Sequence, residues 1–431
     1  MRAGAWYQCG FLPDGRAGSD AGDARLVPCP APVASARDAF DGGWGFAVAR
    51  VDADDATGGR LYAWGECARD HVLEEPPTTS SRARDHVLPA RLVDAAADAR
   101  EDPGPVAAGW AHVVFLVHGA GGDTCGDTAR VLGWRRSSRE TPTPTPRDVH
   151  LPRRVRALTA GERHTLAVCE DGSAWAWGDD ACGQLGAARK TTCDRDDGRD
   201  DPAAAAEPPA TAAFASRVAL PPGVFVVAAC AGARHSVVVD ARGAAYAFGW
   251  GLHGQLGLGD GEDARAPTRV ASLDGIFIAR AAAGTAHTVL LTHHGTAYAF
   301  GSNHHGQLGV PEETCPPGSA TAEPVMVEIR GDPNDEVEFA DVRSRRARRE
   351  GVATPPDVFD GVSCGSRHTA AVSKDGTIRA WGWNARGQLG TGDRIDRSTP
   401  TAVEIPGGRR AARVACGWWH TLVEVVDEDE G

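Results

Sequence analysis

Lysine is nearly missing from this chain. It occurs only at Lys190 and Lys374, so arginine carries almost all of the positive charge. Aromatic residues are also scarce, at 6%. No apolar run approaches the 18 or so residues that a membrane-spanning helix needs, so no such helix is expected. The opening Met-Arg-Ala-Gly-Ala-Trp-Tyr lacks the apolar run of a secretory signal. There is no Cys-x-x-Cys pair among the 11 cysteines, an odd number of scattered single residues. That pattern predicts free thiols in a reducing compartment, cytoplasmic or nuclear, and neither a disulfide frame nor a zinc site. The net charge of −13 argues against a surface that binds nucleic acid or anionic membrane as a whole, because phosphate binding needs a basic face.

What the chain has in quantity is glycine, 53 residues in 431. Many of them fall in register. A unit Gly-x-x-His recurs as Gly109 with His112, Gly161 with His164, Gly232 with His235, Gly284 with His287, Gly365 with His368, and Gly417 with His420. Gly43 begins a seventh copy, with Phe46 in the histidine position. Successive glycines are 66, 52, 71, 52, 81 and 52 residues apart, and the step across the two termini is 57. A repeat that closes across its own ends predicts a ring.

The second half of the unit is equally regular. Seventeen residues after the first glycine, an aromatic residue and a glycine end an alternating strand: Trp177-Gly178, Phe248-Gly249, Phe300-Gly301 and Trp381-Gly382. A Gly-Gln-Leu-Gly loop follows, from Gly183, Gly254, Gly306 and Gly387. Each unit therefore reads as three short strands, with a fourth in segments such as 267–270. The expected fold class is all-β: a seven-bladed β-propeller of one domain over 1–431. Strands near 414–426 and 5–10 are expected to share the closing blade. Long surface insertions are expected at about 66–105, 134–150, 187–216 and 310–356, where the sequence is polar, Pro-rich or of low complexity.

The Gly-x-x-His-Thr strand, the aromatic-Gly strand end and the Gly-Gln-Leu-Gly loop together resemble the regulator of chromosome condensation repeat family. The resemblance runs over essentially the whole chain and is strongest in the units at Gly161, Gly232, Gly284 and Gly365. WD-repeat and kelch propellers fit worse, since there is no Trp-Asp dipeptide and no recurring paired-glycine strand.

No catalytic constellation stands out. Gly361-Val362-Ser363-Cys364-Gly365 matches the nucleophile-elbow pattern but leads into another strand rather than a helix. Gly249-x-Gly251-x-x-Gly254 matches a dinucleotide fingerprint without the helix that such a site requires. No metal and no cofactor are expected. The six repeat histidines and Gly178, Gly249, Gly301 and Gly382 are read as scaffold, the histidines as hydrogen-bond partners of neighbouring backbone.

The position after the first glycine varies, and it is Trp44, Trp110 and Trp418 in three consecutive units, with Trp419 beside them. These tryptophans either form a partner-binding patch or fill the cores of diverged blades. Arg343, Arg345, Arg346, Arg348 and Arg349 form a basic loop, either an import or acidic-partner patch or a solvated segment neutralised by nearby carboxylates. The expected function is a monomeric, non-enzymatic scaffold that binds a protein partner. The resemblance implies an alternative, guanine-nucleotide exchange on a Ran-like small GTPase, which would need no catalytic side chain. A lesser alternative is a UV-B photoreceptor. Similar proteins of that kind carry Gly-Trp-Arg-His-Thr repeats, whereas Gly45, Ala111 and Trp419 follow the tryptophans here.

Overall fold

The computed structural model describes residues 5–10, 25–29, 38–42, 46–51, 60–65, 91–92, 105–110, 112–117, 126–133, 147–187, 215–328 and 358–426. They form seven four-stranded antiparallel sheets, each one blade. Blade 1 holds Asp38–Gly42, Phe46–Val51, Arg60–Gly65 and Arg91–Leu92; blade 2 holds Val106–Ala108, His112–Val117, Thr128–Gly133 and Arg147–His150. Blades 3, 4, 5 and 6 have their inner strands at Val155–Ala160, Val226–Ala231, Ile278–Ala283 and Phe359–Cys364. Blade 7 is composite. The C-terminal segment supplies Arg410–Cys416 and His420–Val426, and the N-terminal segment supplies Ala5–Gly10 and Val27–Pro28. Gly10 pairs with His420 and Ala5 with Val425, so backbone hydrogen bonds join the two ends of the chain. Each inner strand touches the next, and the Arg410–Cys416 strand touches blade 1, which closes the circle.

The outer strands Arg91–Leu92, Arg147–His150, Ser216–Arg217 and Ala320–Met326 lie within or at the edge of the four long insertions. They pair with their blades despite sequences with no apolar alternation, because an outer strand needs only backbone hydrogen bonds on one side. Most of the remainder of those insertions, including Arg343, Arg345, Arg346, Arg348 and Arg349, lies outside the described residues.

The apolar core is divided among the seams between blades. Phe248, Phe300 and Trp381 are the large buried anchors, each on the third strand of its blade and packed against the preceding one. The Gly-Gln-Leu-Gly loop recurs because it performs that packing. A Cβ at Gly186, Gly257 or Gly309 would stand 2.8, 2.9 or 2.6 Å from Phe248, Phe300 or Trp381 of the next blade. In blade 7 a smaller residue, Cys9, meets Gly390.

The repeat histidines bridge the same seams. Nε2 of His164, His235, His287 and His368 lies 2.9–3.1 Å from the hydroxyl of Ser236, Thr288, Thr369 and Thr421 in the following blade. Each hydroxyl donates to the main-chain carbonyl of Gln184, Gln255, Gln307 or Gln388 at 2.8–2.9 Å. Because the hydroxyl's single proton goes to that carbonyl, the histidine must be the Nε2–H donor. The sequence reading expected a direct bond to neighbouring backbone; a hydroxyl relays it instead. The glycine three residues before each histidine is needed for close approach, since a Cβ there would overlap the imidazole. Positive φ is needed elsewhere, at the strand-ending Gly178, Gly249, Gly301 and Gly382, at 101–108°.

Blade 1 stands outside this relay. It offers Ala47 where a hydroxyl would meet His420, and both ring nitrogens of buried His420 are without a hydrogen-bond partner. On the other side of blade 1, Phe46 and Val113 occupy the histidine and hydroxyl positions.

Candidate functional site

The second strand of each blade begins where the third ends, as in the pairing of His235 with Gly249. The Gly-x-x-His turns and the loops after the aromatic-Gly strand ends therefore share one face of the ring. The turns are held by bonds across the seams: the N–H groups of Trp110, Glu162, Ala233, Thr285 and Ser366 each donate to a carbonyl of the next blade. They surround the mouth of an axial cavity of about 230 Å³, lined by inner strands of all seven blades, including Gly42, Ala160, Ala231, Cys364 and Cys416.

Trp110, Trp418 and Trp419 are half-buried on this face rather than in the seam cores, which are filled by Trp177, Trp381 and the phenylalanines. Trp44 lies outside the described residues. Trp110 and Trp418 approach to 6.1 Å between ring centroids, although they belong to blades 2 and 7. Trp419 meets Trp383 edge-on at 5.0 Å, and Trp383 is 6.0 Å from His305. On blades 4 and 5, Trp250 packs on His253, which faces His304 at 6.2 Å. The tryptophans thus belong to an arc of rings along one rim. Trp250, Trp383 and the three loop histidines escaped the sequence reading. Their signal was the residue after the strand-ending glycine, Trp250 and Trp383 against Asp179 and Ser302, which looks like loop variation until the turns are placed side by side. Leu252 and Ile395, 65% and 64% exposed, stand on the same face.

The cations near the arc are arginines. Arg163, Arg234 and Arg367 occupy the position just before the repeat histidine in blades 3, 4 and 6. Glu162 sits 3.8 Å from Arg163 and 3.7 Å from Arg234. His305 bonds Asp396 at 2.9 Å, and Arg367 lies 3.5 Å from its other nitrogen.

The repeat histidines belong to the frame. Burial lowers His164, His235 and His368 to about 3 and His112, His287 and His420 to about 4, so they are neutral at physiological pH. Ser363 lies inside an inner strand, where its hydroxyl accepts from the N–H of Cys416. The glycine-rich 249–254 stretch leads into the Ala264–Arg269 strand. Among the described residues no cluster of three or more metal-ligating side chains occurs, and no helix is long and apolar enough to cross a membrane.

A profile of the RCC1-like domain matches residues 56–423. The chain belongs to the RCC1-like domain family. This RCC1-like domain is 31% identical over 269 residues to the ultraviolet-B receptor UVR8 of Arabidopsis thaliana, covering 62% of the chain and 50% of the receptor. It is 32% identical over 214 residues to RCC1 domain-containing protein 1 of Homo sapiens, covering 46% of the chain and 55% of that protein. It thus spans about half the length of these relatives. Among solved structures, human WBSCR16 superposes over 99% of the chain and 100% of its own length with a TM-score of 0.72 at 19% identity. Prp20p of Saccharomyces cerevisiae, whose structure was described with its binding properties to Gsp1p and histones, superposes over 100% of the chain and 93% of its own length with a TM-score of 0.71 at 18% identity. At these identities the likeness establishes the fold. The strands Ala5–Gly10 and Asp38–Gly42 precede the matched segment, yet they complete blade 7 and open blade 1 of this RCC1-like domain.

Proposed function

We propose that this RCC1-like domain is a protein-interaction propeller that engages its partner through the face carrying Trp110, Trp250, Trp383, Trp418 and Trp419. The observation that supports this reading is the arc of half-buried rings itself. Rigid, partly exposed aromatic side chains on turns fixed by cross-seam hydrogen bonds are what an interface anchor requires, because little conformational entropy is lost on binding. A photo-crosslinking residue in place of Leu252 or Ile395 should capture the partner, and the same residue in place of Phe225 or Phe277, both 43% exposed on the opposite face, should not. Capture only from Phe225 or Phe277, or from no position, refutes the reading.

Nucleotide exchange on a small GTPase is the second reading, supported by the full-length structural likeness to Prp20p and the Gsp1p binding named for that protein. Exchange requires only a face that distorts the GTPase's nucleotide site, so it uses the same surface. Small GTPases loaded with fluorescent GDP test it: no acceleration of release on any of them removes the exchange reading and leaves the interaction reading standing. The likeness to UVR8 motivates one parallel measurement, elution volume on a sizing column before and after UV-B, where an unchanged volume removes the photoreceptor reading.

A further inference from the structure

We propose that the mouth of the axial cavity receives a short acidic peptide segment of the partner, with an apolar side chain seated among the tryptophans. This rests on the interaction reading above and adds the chemistry of what is bound.

The residues around the mouth divide into two arcs. Blades 3, 4 and 6 present Arg163, Arg234 and Arg367; the side chains of Arg163 and Arg234 are 67% and 52% exposed, and Arg367 is exposed as well. Blades 6, 7 and 2 present Trp383, Trp418, Trp419 and Trp110. Among the described residues of these turns Glu162 is the only carboxylate. It is shared between two guanidinium groups at 3.7 and 3.8 Å, longer than a hydrogen bond, so both forks keep donors for a ligand. With Asp179, whose N–H donates to the Arg163 carbonyl in the adjoining loop, three cations stand against two carboxylates, still a local reversal of sign in a chain of net charge −13. Guanidinium forks match carboxylates in planar pairs, and the adjoining rings offer apolar contact. The N–H groups of Trp110, Glu162, Ala233, Thr285 and Ser366 are already bonded across the seams, so recognition at these positions falls to the side chains.

Arginine beside tryptophan also suits single-stranded nucleic acid. The surrounding charge favours the peptide. Farther out on the same face stand the exposed carboxylates Asp260 and Glu262, and Asp396 is held by His305 beside Arg367. A long polyanion crossing the mouth would meet them, whereas a short acidic segment confined to the mouth would not.

The test is fluorescence anisotropy on the full chain with four labelled probes: a short Glu-rich peptide with a central Leu-Phe pair, its Lys-for-Glu counterpart, its Ala-for-Leu-Phe counterpart, and a single-stranded oligothymidine. The first should bind, weaken as salt rises, and lose at least about tenfold in affinity with Arg234→Ala or Arg367→Ala, whose exposed side chains leave the melting curve unchanged. The Ala counterpart should bind more weakly. Trp418→Phe should retain the fold and reduce the quenching of tryptophan fluorescence by the bound peptide. Equal binding of the Lys peptide, tighter binding of the oligothymidine, an unchanged affinity in both arginine variants, or no binding of the acidic peptide overturns the proposal. Should the acidic peptide fail while a partner still cross-links through Leu252 or Ile395, this inference falls alone. If nothing cross-links through that face, the interaction reading falls with it.

Discussion

Replacing Thr288 by Val tests whether the histidine relay holds the blades together. Val has nearly the shape of Thr and fills the same space, so the change removes one hydroxyl and little else. That hydroxyl accepts from Nε2–H of His235 at 2.9 Å and donates to the carbonyl of Gln255 at 2.8 Å. His235, Thr288 and Gln255 are all 0% exposed, so water cannot replace either bond. Leaving a buried donor and a buried acceptor unpaired costs about 1–3 kcal/mol each, so Thr288→Val should destabilise by roughly 2–6 kcal/mol. Thr288→Ser is the control. It keeps the hydroxyl and loses one methyl, about 1 kcal/mol, and Ser236 already fills the equivalent position one blade earlier. Urea unfolding at pH 7.5 or so, with the slope checked against the parent, reads the difference. Adding His235→Phe to Thr288→Val should cost less than the separate losses combined, since the stranded donor is removed with its ring. A Thr288→Val chain no less stable than Thr288→Ser would show that the relay contributes nothing, and the reasoning would fail.

Acid should act through the same residues. The folded values of about 3–4 for the six repeat histidines lie below the ordinary histidine value of about 6.5, so the unfolded chain binds more protons between these limits. Their contribution is therefore complete above about pH 6.5 and is lost as pH falls toward 4, by about 1.4 kcal/mol per histidine per pH unit; denaturant titrations at stepped pH should show that slope, and a flat profile from pH 7 to 5 or so refutes it. Ellman's reagent should leave Cys9, Cys29, Cys169, Cys230, Cys315 and Cys416 unmodified until the chain unfolds, since all six are buried, with the thiol of Cys230 pushed up to about 12 and that of Cys169 to about 11 by loss of water. Gly232→Ala should cost more than about 2 kcal/mol by thermal or urea unfolding, because its Cβ would overlap the imidazole of His235 and backbone of the next blade.

The strands were legible because their sequences are local codes. Alternation in Ala245–Gly249, a strand-ending glycine and a repeat near 52 residues place turns at fixed intervals, and seven such units with complementary ends close only as a ring. The outer strands of blades 1, 2, 3 and 5 were not legible within polar insertions, since pairing at a sheet edge selects for backbone rather than side chain. The candidate site was half legible. Trp110, Trp418 and Trp419 stood out at a varying position of a strict repeat, whereas Trp250, Trp383 and His305 sit in loops whose neighbours come from other blades.

The spacing of glycines, histidines and aromatic strand ends thus determined the architecture alone, because each marks a backbone conformation or a seam contact repeated in blade after blade. Only the tertiary structure decided what those residues touch. It showed that His164, His235, His287 and His368 each work through a hydroxyl of the following blade, that Phe248, Phe300 and Trp381 pack under the preceding loop, and that Trp110, Trp418, Trp419 and Trp383 of blades 2, 7 and 6 come together on one rim. Those partners are dozens to hundreds of residues apart in the chain, and ring closure, a long-range event, brings them within a few ångströms.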